Sequence, residues 1–106
     1  MKITIGKNWT IIYNSLSSLD LEENNLTKEE LEYAILGFTQ DLAQIESNDH
    51  QLLIDIGWCP DIDIDGEFLL QMLPIKNGAC DWFNPVLEFR TRSLKQLLVK
   101  IEELTI

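Results

Sequence analysis

Four carboxylates at alternate positions, Asp61, Asp63, Asp65 and Glu67, form the densest set of potential ligands in this 106-residue chain. With Gly66 they reproduce the opening of a calcium loop of the EF-hand type, in which a hard cation gathers six to eight oxygens and a bidentate Glu closes the set at the twelfth position. Counted from Asp61, the twelfth residue is Met72, and Glu67 falls at the seventh, where a backbone carbonyl usually serves. Pro60 precedes the stretch and a strand-like run follows it, where helices belong. The other reading is an acidic hairpin turn whose alternate Asp side chains face solvent. We expect no metal and no cofactor.

Catalytic chemistry is sparsely supplied. His50, the single histidine, sits between Asp49 and Gln51 with no nucleophile near it in sequence, and a surface histidine explains it as well as a proton carrier does. Cys59 and Cys80 have neither paired metal-ligand spacing nor the company of a disulfide framework, so they read as small buried apolar residues. No phosphate-cradling glycine loop, serine elbow or metal-binding histidine pair is present. The expectation is a protein without enzymatic activity. Trp58 and Trp82 both border loops next to acids. Tryptophan dominates many interfaces, and equally it closes the ends of small cores.

Charge is the broadest signal. From Glu29 to Ile75, 47 residues contain no Lys or Arg and eleven Asp or Glu. The flanks nearly balance, with three Lys against three acids over residues 1–28 and five bases against four acids over 76–106, so that 0, −11 and +1 make the net charge of −10. Leu, Ile, Phe, Trp and Tyr are interleaved with these acids, and 45% hydrophobic content is too high for a disordered acidic tail. A folded surface of one sign repels nucleic acid and anionic lipid and steers cationic partners. Simple solubility would produce the same excess. Length and composition suit one domain spanning residues 1–106. No signal peptide or apolar run of membrane-spanning length occurs, which points to a cytoplasmic protein.

The elements that must position these groups follow from periodicity. Lys2–Ile5 and Trp9–Tyr13, joined through Gly6-Lys7-Asn8, predict a short hairpin. Thr27 with Glu30 is a capping box, and Leu31, Ile35, Phe38, Leu42 and Ile45 form one helical stripe, so a helix is expected from Lys28 to about Glu46. Gln51–Trp58 and Glu67–Leu73 read as an antiparallel strand pair, Val86–Thr91 as a further strand, and Lys76–Asp81 as a loop. Ser93 caps a last helix with its stripe at Leu94, Leu97, Leu98, Ile101 and Leu104. The fold class is α+β: an antiparallel sheet of about four to five strands with two main helices on one face.

Two segments carry a likeness. Gly57–Phe68 (GWCPDIDIDGEF) and Asp81–Leu94 (DWFNPVLEFRTRSL), followed by a short final helix, resemble the immunity proteins of bacterial contact-dependent growth inhibition systems. The similar group is the one paired with small ribonuclease toxins, including a toxin of pancreatic-ribonuclease-like fold. The likeness covers roughly residues 50–106. It implies a non-enzymatic protein that binds a cognate basic nuclease toxin domain, covering or flanking the surface that would hold RNA phosphates. Asp61, Asp63, Asp65 and Glu67 are then the expected partner-facing acids, with Trp58 and Trp82 as anchors. A second acidic face is Glu29, Glu30 and Glu32 with Glu22 and Glu23. The function from another class is a small calcium-binding module using the Asp61–Glu67 loop.

Overall fold

Six antiparallel strands and two helices make up the computed structural model, which describes residues 1–22 and 24–106. In chain order these are β1 (Trp9–Asn14), α1 (Lys28–Ala34), β2 (Ala43–Ser47), β3 (Leu52–Cys59), β4 (Glu67–Lys76), β5 (Ala79–Cys80), β6 (Leu87–Thr91) and α2 (Leu94–Thr105). The α+β architecture expected from the sequence is the one observed. Sheet order runs β1-β2-β3-β4, and β6 and the two-residue β5 both pair with β4. Among the described residues no helix is long and apolar enough to cross a membrane.

The capping box forms: the Thr27 hydroxyl accepts from the Glu30 backbone amide while the Glu30 carboxylate accepts from the Thr27 amide. The helix it starts is shorter than expected. It ends at Ala34, passes through a 3-10 turn at Ile35–Gly37, and the chain then extends into β2. Ile35, Phe38, Leu42 and Ile45 do all enter the core, but from a turn, a loop and a strand rather than one helical stripe. Within Ala43–Ser47 burial alternates strictly, which is the period of a strand packed on one face. The expected N-terminal hairpin is also absent. Residues 1–6 take no strand, and β1 pairs instead with β2. Gly6 donates its amide to the Thr105 hydroxyl at the end of α2, and a Cβ at Gly6 would lie 1.8 Å from the Thr105 carbonyl oxygen.

The core forms on one side of the sheet. Ile54, Ile56 and Trp58 of β3 and Phe68, Leu70 and Met72 of β4 meet Leu94, Leu97 and Ile101 of α2 in a single cluster. Phe38, Trp58 and Phe68 pack as an aromatic trio, with ring centroids 4.9 Å apart in the two edge-to-face contacts that Trp58 makes. Ser93 caps α2 by accepting from the Gln96 amide.

Candidate functional site

Strand residues alternate between the two faces of a sheet, so the register that seats Ile54 and Ile56 under α2 sends Leu53, Asp55 and Gly57 to the opposite face. Cross-strand pairing then aligns one row across five strands: Tyr13 beside Gln44, Gln44 beside Asp55, Asp55 beside Gln71, and Gln71 beside Glu88. Two amide bridges tie it, Gln44 Nε2 to Asp55 Oδ1 at 3.0 Å and Gln71 Nε2 to Glu88 Oε1 at 2.9 Å. Tyr13 joins by an irregularity. Ile11 opposes Ile45 on the core side, and two residues on Tyr13 would face the core as well. The register shifts by one at Ile12, and Tyr13 opposes Gln44 instead. A bulge that re-aims one side chain is a recurring device beside functional sites.

Near the middle of this face lies an open depression of about 350 Å³, lined among others by Gln40, Asp41, Asp55, Gln71, Leu69 and Trp82. Gly57 makes one wall possible: the Gln40 carbonyl oxygen would be 2.0 Å from any Cβ there, so only glycine lets the chain before β2 cross so close to β3. The opposite wall comes from the connection between β4 and β6. Asn77 and Gly78 take left-handed backbone at φ 54° and 78°, turning the chain back through β5 to Trp82. Trp82 remains 49% exposed and Phe83 94% exposed. Asp81 shapes this loop by accepting from the Asn84 side chain and the Phe83 amide, and those hydrogen bonds, led by that of Asn84, hold its carboxyl below the usual range.

The electrostatics of the face are one-sided. Burial raises the Asp55 pKa above the ordinary carboxylate range, the Asp41 charge pushes the same way, and the Gln44 hydrogen bond opposes them. Partial burial likewise raises the Tyr13 hydroxyl, with Asp41 and Asp55 adding to it, and the Cys80 thiol, with Glu46 and Asp55 adding to it. Among the described strand residues, Arg90 is the single Lys or Arg that the register places on this face, and it pairs with Glu67 at 3.4 Å. Glu46 pairs with exposed His50 at 3.1 Å.

The residues singled out from the sequence fall into different roles. Trp58 is fully buried (0% exposed), and its indole N–H donates to the Asp63 carbonyl at 2.7 Å; it is a core residue and offers no surface to a partner. The Asp61 carboxylate accepts from the Gln40 amide at 2.9 Å and the Asp63 carboxylate from the Asp65 amide at 2.8 Å, so both shape the loop. Asp65 is exposed, and Glu67 lies on the face opposite α2 beside Arg90. Trp82 lines the depression. Of the second acidic face, Glu29 and Glu32 are exposed, Glu30 serves the capping box, Glu22 pairs with Arg92, and Glu23 lies outside the described residues. Met72, the twelfth residue of the calcium-loop count, is a buried β4 residue between Ile54 and Leu87. Among the described residues no group of three or more His, Cys, Asp or Glu is arranged to hold a metal ion.

Sequence reasoning passed over Asp55, Gln44, Gln71 and Tyr13. Asp55 carried a signal: it is an acid in the middle of the apolar run Leu52–Trp58, where a carboxylate must be partnered or functional. Compared with known protein families, characterised proteins and solved structures, the chain matches none of them.

Proposed function

We propose that this protein is a cytoplasmic, non-enzymatic immunity protein that docks a basic nuclease toxin domain, a ribonuclease in the first instance, on the sheet face opposite α2. The observation that carries the proposal is the conjunction on that face of a five-strand polar row, carboxylates without free cations, and half-exposed Trp82 at the rim. A nuclease must present cations to hold phosphates. Carboxylates placed where phosphates would lie compete for those cations, steer the encounter and require no reaction. Apolar burial at Trp82 and Phe83 then slows dissociation, since aromatic anchors carry most interface energy. Glu67 shares the register of this face and pairs with Arg90, and the Asp61 carboxylate accepts from the amide of Gln40, which lines the depression.

The test is co-expression with the product of the reading frame immediately upstream. The expected result is a stable complex in which RNA survives incubation with that product. Absence of any complex with a basic nuclease, or a complex in which RNA is still degraded, would overturn the proposal.

A further inference from the structure

We infer that the depression between Trp82 and Gln40 is a subsite for a guanidinium, filled by one arginine side chain of the docked partner. The inference rests on the docking face proposed above and names the group that face selects. One wall is a half-exposed indole, the best aromatic surface for a cation. Acceptors line it as well: the carboxylates of Asp41 and Asp55 and the side-chain amides of Gln40 and Gln71. Asp55 Oδ1 already accepts from Gln44, and no protein donor among the described residues reaches its Oδ2. Asp55 is among the residues lining the cavity.

Arginine fits this arrangement better than lysine. Its guanidinium is planar, so it stacks on the indole while its N–H fork still reaches carboxylate oxygens in its own plane. An ammonium is a compact, strongly hydrated point charge with no plane to stack. The charges agree with the geometry: Asp41 and Asp55 both line the cavity, and no Lys or Arg is among its lining residues. Those same carboxylates repel phosphate, which removes a stacked nucleotide as the occupant even though an exposed tryptophan would otherwise suit one.

The protein itself contains a precedent for the contact. On the core side the Arg92 guanidinium carbon lies 5.7 Å from the centroid of the Trp58 ring while its Nη1 donates to the Ile64 and Gly66 carbonyls. The cavity at Trp82 likewise combines an indole with acceptors, here carboxylates instead of carbonyls.

Titration of ¹⁵N-labelled protein with N-acetyl-arginine amide, and separately with N-acetyl-lysine amide at equal ionic strength, tests this. The Trp82 indole N–H resonance, assigned through Trp82→Phe, and the backbone amides of Gly57, Leu69 and Gln71 are followed. Saturable shifts at these sites, severalfold tighter for the arginine probe, are expected. Trp82→Ala and Asp55→Asn should each weaken that binding severalfold, and Trp82→Phe should weaken it less. Asp55→Asn keeps the oxygen that Gln44 uses, and urea unfolding of each variant confirms that it is folded. Equal response to both probes, or arginine shifts unaffected by Trp82→Ala and Asp55→Asn, would overturn the subsite. A nuclease complex that forms while the probe leaves Trp82 untouched removes the subsite alone. Arginine binding at Trp82 without any nuclease complex keeps the subsite and removes the toxin.

Discussion

Replacing Arg92 by Met should cost roughly 2–3 kcal/mol of stability, and the figure can be built contact by contact. Arg92 donates to the Ile64 carbonyl at 3.0 Å and to the Gly66 carbonyl, pairs with Glu22, and lies 5.7 Å from the Trp58 ring centroid. A hydrogen bond from a charged donor contributes about 1.5–3 kcal/mol when buried. The Arg92 side chain is 37% exposed, so about 1 kcal/mol apiece is the fitting figure. The ion pair adds at most about 0.5 kcal/mol, because Glu22 is 45% exposed. Stacking on Trp58 adds about 0.5 kcal/mol. Met preserves the apolar stem, so packing contributes little to the loss. Urea unfolding should show a lower midpoint with an unchanged slope. Arg92→Lys should recover less than half, since it restores the charge without the fork. Glu22→Gln should cost under about 0.5 kcal/mol. A local readout accompanies these: the Trp58 indole N–H, which donates to Asp63 at 2.7 Å, should exchange faster with solvent once the loop is released. An Arg92→Met protein within about 0.5 kcal/mol of wild type would refute the idea that this side chain pins the acidic loop.

Other expectations follow from the face opposite α2 and its supports. Asp55→Asn should raise stability at neutral pH. A carboxyl whose folded pKa lies above its unfolded value loses stability as pH rises through that interval, and Asn does not ionise. The gain should vanish below the ordinary carboxylate range, as paired urea titrations at acid and neutral pH would show. Gly57→Ala should destabilise by at least about 2 kcal/mol, because the new Cβ meets the Gln40 backbone. Gly37→Ala, with nothing within 4 Å, should be near neutral, and thermal melts of the two variants make the comparison. Against the nuclease partner, Trp82→Ala should act mainly on dissociation. About half of a tryptophan's surface remains to be covered, which at ~25 cal/mol/Å² amounts to roughly 2–3 kcal/mol, or about 30- to 150-fold in surface-plasmon off-rate. Asp41→Asn with Glu88→Gln should instead slow association and flatten its salt dependence.

Much of the frame was legible because its signals are local. The Thr27 capping box, the Ser93 cap with its following stripe, and the paired runs around Pro60 and Gly66 all stand where periodicity put them. The errors came where two periods coincide. Leu31, Ile35, Phe38, Leu42 and Ile45 satisfy helical spacing, yet Ala43, Ile45 and Ser47 alternate with Gln44 and Glu46 just as well. Tertiary pairing with β1 and β3 decides the matter, and no local signal reports it. The N-terminal segment went astray for a similar reason, since Gly6 meets Thr105, 99 residues away. The face opposite α2 was the least legible part. Its row draws one residue from each of five strands, and its register depends on a bulge at Ile12 that sequence alternation does not announce.

Helix α2 covers one side of the sheet; on the other, Leu53 and Leu73 are buried, and for solubility alone the remainder of that side needs only interspersed charges of both signs. This face departs from that minimum in three ways that each oppose stability. Asp55 places a carboxyl at a partly buried position that raises its pKa. Trp82 and Phe83 stand exposed beside it although the adjoining loop could have carried polar residues. The β1 ladder gives up regular pairing at Ile12, and the result is that Tyr13 turns from the core towards Asp41 and Asp55. Structural accidents of this kind would be expected to scatter. Here they converge on one row and one depression, while Arg92, the cation best able to neutralise such a cavity, is spent on the opposite side beneath the acidic loop. Convergence of locally unfavourable choices is what selection for a docking surface would leave behind, and the carboxylates among them accord with the cationic partner proposed above.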